Sequence, residues 1–215
     1  MKKGTEWKAA GRPRDEAATT SIMRAALELA DEAGFDSLSV EGVAARAGVG
    51  KTTIYRRWAN VWAVVMDAVL ADVTRMAPIE EHATARESFR GSMRSLAKAY
   101  RGKAGKLLRP LIGRAQVDAD LRQAVQARWV EPRRRIAREV VRRGIESGEL
   151  REGLDADVVL DALYGPIYHR LLVPYDDAPL SDEFIDRVVD HVFGGLERSA
   201  AGGGGATRPA VDAIT

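Results

Sequence analysis

The chain has 215 residues and a formal net charge of +2, with 46% hydrophobic and 30% charged residues. These proportions are typical of a folded globular protein and exclude a disordered or fibrous chain. The sequence contains no cysteine, which excludes disulfides, thiolate nucleophiles and cysteine-based zinc sites and fits a reducing compartment.

Neither membrane insertion nor export is indicated by the sequence. No stretch approaches the ~20 continuous apolar residues that span a bilayer. Residues 1–8 lack the apolar segment of a secretory signal. We therefore expect a cytoplasmic protein with no membrane partner.

Apolar residues recur at helical spacing along nearly the whole chain, which predicts an all-α fold. Ser39 and Asn60 can cap helix N-termini, Gly34 favours a left-handed helix end, and Gly48 permits a tight reversal. In the first third of the chain, helices are predicted at residues 20–33, 40–47 and 51–58 and from residue 60 towards 75.

Pro78 marks a domain boundary, since proline disfavours a helical conformation in the residue before it. Pro132 should kink a long helical stretch or begin a new helix there. Beyond the boundary, helices are predicted at residues 86–101, 106–116, 120–146, 156–172 and 182–198.

Two short helices joined by a glycine-containing turn, at residues 39–58, form the minimum of a helix-turn-helix. An apolar seam can hold the two helices together: Val40, Val43, Ala44, Ala47, Val49, Ile54 and Trp58. The second helix then presents hydroxyl, phenol and basic side chains that suit the major groove of double-stranded DNA. From the pattern alone, the basic face of an ordinary helical hairpin remains the alternative.

The same segment resembles the signature of the tetracycline-repressor (TetR) family over about residues 16–76. The matching residues are Gly34-Phe35, Ser39-Val40, Val43-Ala44, Ala47-Gly48-Val49, Thr53-Ile54-Tyr55 and Trp58, ending in Asn60. The resemblance implies a three-helix DNA-binding head and a helical body for ligand binding and dimerisation. It also implies that Thr52, Thr53 and Arg56 face base edges. Ser39, Lys51 and Tyr55 would hold phosphates.

Two positions depart from the family pattern. Gly50 stands where the family commonly has a capping serine, and Val61 where it commonly has a phosphate-holding lysine. Arg12 and Arg14 could compensate from a basic arm in the minor groove, although an arm with incidental charge is an equal alternative. The predicted DNA contacts are Arg12, Arg14, Ser39, Gly50, Lys51, Thr52, Thr53, Tyr55, Arg56 and Arg57.

The resemblance divides the chain into four parts. These are a basic flexible arm at 1–15, the DNA-binding domain at 16–76, the ligand-binding and dimerisation domain at 79–198, and a disordered tail at 199–215. Residues 157–172 also resemble a C-terminal class of these regulators, which implies a homodimer built on the last two long helices. The predicted interface residues are Leu163, Ile167, Phe184, Val188, Val192, Phe193 and Leu196.

Aromatic and large apolar residues that could line a ligand cavity lie at helical spacing in several segments. They are Trp62, Met66, Phe89, Met93, Leu96, Trp129, Tyr164, Tyr168 and His169. For each one, ordinary core packing is the more common outcome. Arg109 could contact an anion or simply be solvated, and the arginine-rich run at 133–143 is most simply a solvated helix face.

Three functions remain to be weighed. The first is a dimeric repressor that a small molecule releases from a palindromic operator, and the second is an effector-independent regulator that acts through protein partners. An enzyme is the least favoured, because His82, His169 and His191 have no metal-ligand spacing and no phosphate-binding loop or nucleophile–base pair is visible. We expect neither a metal nor a cofactor.

Overall fold

The computed structural model describes residues 12–173 and 179–196, without the side chains of residues 12–14 and 36. The predicted arm up to residue 11 and the predicted tail lie outside these residues. All the long elements of the described part are helices, which confirms the all-α prediction. They are α1 (Arg12–Ala33), α2 (Val40–Ala47), α3 (Lys51–Tyr55), α4 (Val61–Met76), α5 (Ala85–Arg101), α6 (Lys103–Val117), α7 (Ala119–Val125), α8 (Glu131–Glu146), α9 (Ala156–Leu172) and α10 (Asp182–Leu196).

The head is built from α1 to α3 and the first part of α4, with α1 packed against both α2 and α4. The predicted caps are present: the Ser39 hydroxyl accepts from the Gly42 amide, and the Asn60 side chain accepts from the Ala63 amide. Gly48 has φ 67° and ψ 34°, the left-handed conformation that lets the chain reverse tightly between α2 and α3.

Three local boundaries differ from the sequence-based expectation. Helix α1 already begins at Arg12, so the last residues of the expected arm are helical. Helix α3 ends at Tyr55 rather than Trp58, because Arg56 and Arg57 form a turn that directs the indole into the core. Gly34 has φ 77° but ψ 171°, so it leads into a short 3₁₀ turn instead of a left-handed cap.

The body consists of α5 to α10, with α5 at its centre in contact with α6, α8, α9 and α10. Proline causes the break predicted in the long arginine-rich stretch. Between α7 and α8 lies a π-helical turn, Gln126–Val130, closed by a bond from the Glu131 amide to the Gln126 carbonyl. Pro132 sits in the first turn of α8, where its missing N–H is tolerated.

The arginine-rich run is not the simple solvated face that its spacing predicts. Arg134 and Arg138 both pair with Asp157, so this face forms an ionic seam between α8 and α9. Ile136, within the same run, is 43% exposed although it is apolar. Arg109 donates its Nε–H to the Leu171 carbonyl at 2.7 Å and thus ties α6 to α9. Within the described ranges, no helix is long and apolar enough to cross a membrane.

Two glycines of α6 give a matched test of packing. A Cβ at Gly105 would lie 1.9 Å from the Tyr100 carbonyl oxygen, whereas a Cβ at Gly113 would meet nothing within 4 Å. We expect Gly105→Ala to lower the free energy of unfolding by about 1–3 kcal/mol through steric conflict. Gly113→Ala should raise it by about 0.5–1 kcal/mol. Urea denaturation measures both, and equal effects would contradict this packing.

Candidate functional site

One exposed surface of the head consists of α3 and the turn that follows it. Ile54 is fully buried and Trp58 nearly so, and these two side chains anchor the segment. The opposite side therefore points away from the protein. There Lys51 is 56% exposed, Tyr55 54% and Arg56 64%. This places three of the predicted DNA contacts on one accessible face.

The remaining predicted contacts in the head differ in accessibility. Thr52 is exposed and Thr53 half-buried, while Ser39 is exposed with its oxygen engaged as the α2 cap. Gly50 caps α3 without a side-chain bond, as its sequence implies. Val61 is buried in the head core, so it cannot hold a phosphate. The side chains of Arg12 and Arg14 lie outside the described atoms.

Arg57 is the exception among the predicted contacts, because its side chain is only 16% exposed. Its guanidinium donates to the Thr53 carbonyl at 3.1 Å and also contacts Asp15. It therefore links α3 to the start of α1 rather than pointing outward. Spacing could not separate it from Arg56, since both are basic and adjacent.

The cations of this face are already paired with carboxylates of the same head. Lys51 Nζ lies 3.0 Å from Glu41, and Arg56 lies 3.1 Å from Asp15. The hydrogen bond from Lys51 lowers the pKa of the Glu41 carboxyl, which keeps that carboxylate charged. Exposed pairs of this kind contribute little to stability, so a phosphate can displace them. Asp15 lies far from α3 in the sequence, so residue spacing gives no sign that it pairs with Arg56.

A mainly apolar cavity of about 280 Å³ lies in the body between α5, α6, the π-helical turn, α8 and α9. Four of the predicted ligand residues line it: Leu96, Trp129, Tyr164 and Tyr168. Its other walls include Ile79, Leu108, Ile112, Val125, Val130, Arg133, Arg134, Ala137, Leu160 and Leu172. Aliphatic residues of this kind carry no sequence signal that separates a cavity wall from a core.

The other five predicted ligand residues do not line this cavity. Met66, Phe89 and Met93 are buried in the packed core. Trp62 stacks on Phe35, with ring centroids 5.4 Å apart. His169 is exposed on α9. Core packing, the alternative considered from the sequence, accounts for the three buried side chains.

Two tyrosines and two arginines supply the polar side chains that line the cavity. Tyr164 bonds to the Ser92 hydroxyl at 3.2 Å, and Tyr168 bonds to the Tyr100 hydroxyl at 3.3 Å. Burial raises the pKa of Tyr100 well above its ordinary value and also raises the pKa of Tyr164. Both hydroxyls therefore stay protonated at neutral pH and can act as hydrogen-bond donors.

One carboxylate connects the head to the cavity wall. Asp67 of α4 accepts from the Trp58 indole N–H at 2.8 Å, and Arg128 donates to the same carboxylate at 2.7 Å. Trp58 ends the segment that carries the exposed face, and Arg128 precedes the cavity residue Trp129. The Asp67 bridge, defined as Trp58, Asp67 and Arg128, therefore joins the two regions directly.

The predicted dimer residues fall into two groups. Leu163, Ile167 and Phe193 are fully buried within the protomer, and Leu196 is almost so, because α9 and α10 pack against each other and α10 packs on α5. These four side chains cannot reach a partner without repacking. Those of Phe184, Val188 and Val192 are half-buried at the outer edge of α10.

Two family models match the chain. The one described as "Bacterial regulatory proteins, tetR family" matches residues 22–60. The one described as "Tetracyclin repressor-like, C-terminal domain" matches residues 79–192. They correspond to the head and the body seen in the structure.

Full-length relatives agree with the family models. The uncharacterized HTH-type transcriptional regulator YdeS of Bacillus subtilis is 37% identical over 191 residues, which cover 89% of this chain and 96% of YdeS. The DNA-binding transcriptional repressor TetR of Mycobacteroides abscessus is 28% identical over 87% of this chain and 98% of its own length.

Solved structures share the same architecture. The TetR family transcription regulator SCO0332 is 32% identical, with a TM-score of 0.71 over 83% of this chain and 97% of that one. FadR from Bacillus subtilis, solved in complex with stearoyl-CoA, is similar in fold at 22% identity and a TM-score of 0.63, over 83% of this chain and 99% of its own. The exposed face of the head thus belongs to a DNA-binding helix-turn-helix, and the chain belongs to the TetR family of bacterial transcriptional regulators.

Proposed function

We propose that this regulator is a dimeric repressor that binds a palindromic DNA operator and is released from it by a small apolar molecule in the body. The observation that carries the proposal is the Asp67 bridge, which ties the DNA-facing segment to the wall of the cavity. A molecule in the cavity that prefers another position of Arg128 would lower operator affinity by its differential binding.

The exposed face of α3 supports the DNA-binding part of the proposal. Thr52, Thr53 and Arg56 are the groups for base edges, and an arginine can pair bidentately with guanine. Lys51, Tyr55 and Ser39 are the groups for phosphates. Arg57 takes a supporting role, because it holds α3 against the start of α1.

The outer edge of α10 supports the homodimer. Phe184, Val188 and Val192 share one helix face at spacings of four residues, and a Cβ at Gly195 would meet nothing within 4 Å. A twofold axis beside this face would bury the apolar edge against its copy. The dimer would then present two heads to half-sites about 34–36 Å apart, which is why we propose a palindromic operator.

The cavity favours an effector over the alternative of a regulator that acts only through protein partners. A body that does not bind an effector would be expected to have a closely packed interior. Instead, the cavity volume of about 280 Å³ lies near the lower end of the range for small-molecule sites. FadR, similar in fold, was solved with stearoyl-CoA. That complex supports the idea that a protein of this fold can bind a molecule with a long apolar chain.

The decisive experiment starts from the operator. Genomic fragments captured by the full-length protein are sequenced, and the recovered site is used to measure binding with and without fractionated small molecules. We expect a palindromic site, two protomers per site, and at least one fraction that weakens binding. Specific DNA binding that no fraction alters would favour the effector-independent alternative.

Arg56 and Tyr55 should affect binding in different ways. Arg56→Ala should cost about 1–3 kcal/mol on the preferred operator and reduce discrimination between operators with single base changes. Tyr55→Phe, which removes a phosphate contact, should weaken binding to all sequences alike. Fluorescence anisotropy at fixed salt measures both, with Arg135→Ala on α8 as the control. Wild-type affinity in both variants would rule out α3 as the recognition helix.

Removing the carboxylate that competes for the DNA-facing cations should strengthen binding. Asp15→Asn keeps an oxygen acceptor but removes the negative charge beside Arg56 and Arg57. Because the exposed pair is weak, we expect roughly two- to fivefold tighter operator binding. Glu139→Gln, which removes one charge from the body, is the matched control and should leave affinity unchanged. Weaker binding by Asp15→Asn would show that the pair chiefly positions α3.

The Asp67 bridge should transmit the response to the effector. Arg128→Gln removes the charge pair but leaves Asp67 free to accept from Trp58. This variant should keep specific operator binding while the effect of the releasing fraction on affinity falls severalfold. Arg135→Gln serves as the control. An undiminished response in Arg128→Gln would show that the signal takes another route.

A further inference from the structure

Arg133 is a cationic side chain in the wall of the cavity, and one of its nitrogens has no partner. Its Nη1 donates to the Ala77 carbonyl at 2.7 Å, and its guanidinium lies 4.7 Å from the centroid of the Trp129 ring. Its Nη2 is buried and forms no hydrogen bond. An unsatisfied buried donor on a charged group costs free energy, so a small movement of the guanidinium that brings Nη2 to an acceptor in the cavity would be favourable.

The neighbouring arginine of the same wall is already neutralised. Arg134 pairs with Asp157 at 2.7 Å and with Asp161 at 2.6 Å. Within the part of the chain that the structure describes, no carboxylate lies within ion-pair distance of Arg133. The positive charge at the cavity is therefore concentrated on Arg133, and an anion there would not have to displace an internal partner.

The surroundings of Arg133 select against a strongly polar ligand. Apart from the two arginines and two tyrosines, the lining is aliphatic, alanine and tryptophan side chains. Tyr164 and Tyr168 also line the cavity, and the hydroxyl of each has one bond to a neighbouring hydroxyl. Because a hydroxyl can accept one bond and donate another, each can still donate to a ligand oxygen.

We propose that the cavity takes a mainly apolar monocarboxylic acid whose carboxylate accepts a hydrogen bond from Arg133 Nη2. This inference rests on the proposed function, because it names the chemical class of the effector. Arg133 Nη1 already donates to the Ala77 carbonyl. The guanidinium can therefore give the carboxylate one hydrogen bond, from Nη2, and cannot bind it through two parallel bonds. A tyrosine hydroxyl supplies the second donor, and the apolar remainder fills the space between Trp129 and Leu108.

The test measures binding of matched acids and neutral amides to the full-length protein. The probes are straight-chain carboxylates of four to twelve carbons and 4-phenylbutanoate, each beside its primary amide, titrated by calorimetry. We expect at least one acid to bind about 10-fold or more tightly than its amide. Arg133→Met should abolish this preference while amide binding persists. Arg133→Lys should restore part of it, and Arg135→Met, at an exposed position of α8 outside the cavity, is the control.

Each outcome decides the question. An amide that binds as tightly as its acid, or an acid preference that survives in Arg133→Met, overturns the inference. The inference is also overturned if none of the acids and amides binds to folded wild-type protein below millimolar concentration. In that case water alone satisfies Nη2. Amide binding and thermal melting show whether Arg133→Met remains folded.

Operator binding separates this inference from the proposed function. If an acid binds through Arg133 but leaves operator affinity unchanged, the ligand class stands and effector release fails. If a neutral molecule releases the operator while every acid is inert, effector release stands and the assignment of Arg133 fails.

Discussion

The carboxylate of Asp67 accepts hydrogen bonds from both Trp58 and Arg128. These shared bonds fix the position of the head relative to the body. Asp67 lies on α4, the helix that packs against α1 in the head and against α5 and α6 in the body. With the Trp58 indole on one oxygen and Arg128 on both, its charge is satisfied at the junction. Loss of either donor would leave a charged acceptor short of bonds, so neither can move without cost to the other. The orientation of the recognition segment is thereby tied to the π-helical turn.

That turn owes its shape to proline. Pro132 cannot donate to the carbonyl four residues earlier, and its ring crowds that carbonyl, so the backbone widens into a π-helical turn before α8 begins. Successive residues of a helical turn project from its axis in different directions. Arg128 can therefore face the head while its neighbour Trp129 faces the cavity. The irregular backbone of this turn thus brings the head and the cavity wall together.

Much of this architecture could be predicted from the sequence, and the remainder could not for identifiable reasons. The all-α fold, the Ser39 and Asn60 caps and the exposed face of α3 follow from periodicity and capping chemistry, which are local. Arg57 was misassigned to that face because its orientation depends on Asp15, 42 residues away. Similarly, Phe193 lies in the protomer core rather than at a surface because α10 packs on α5. Long-range packing of this kind leaves no trace in residue spacing.

The cavity and the junction meet at a second point, Arg133, which gives the proposed release by a ligand a direction. Arg133 donates to the carbonyl of Ala77, the C-cap of α4, and its side chain also lines the cavity. A carboxylate bound to Nη2 would draw the guanidinium toward the cavity, and the Ala77 bond would carry part of this displacement to α4. Asp67 lies on the same helix, so both links act on one rigid element. Because coupling of this kind is reciprocal, an operator that fixes α4 in one position must also weaken the ligand that prefers another.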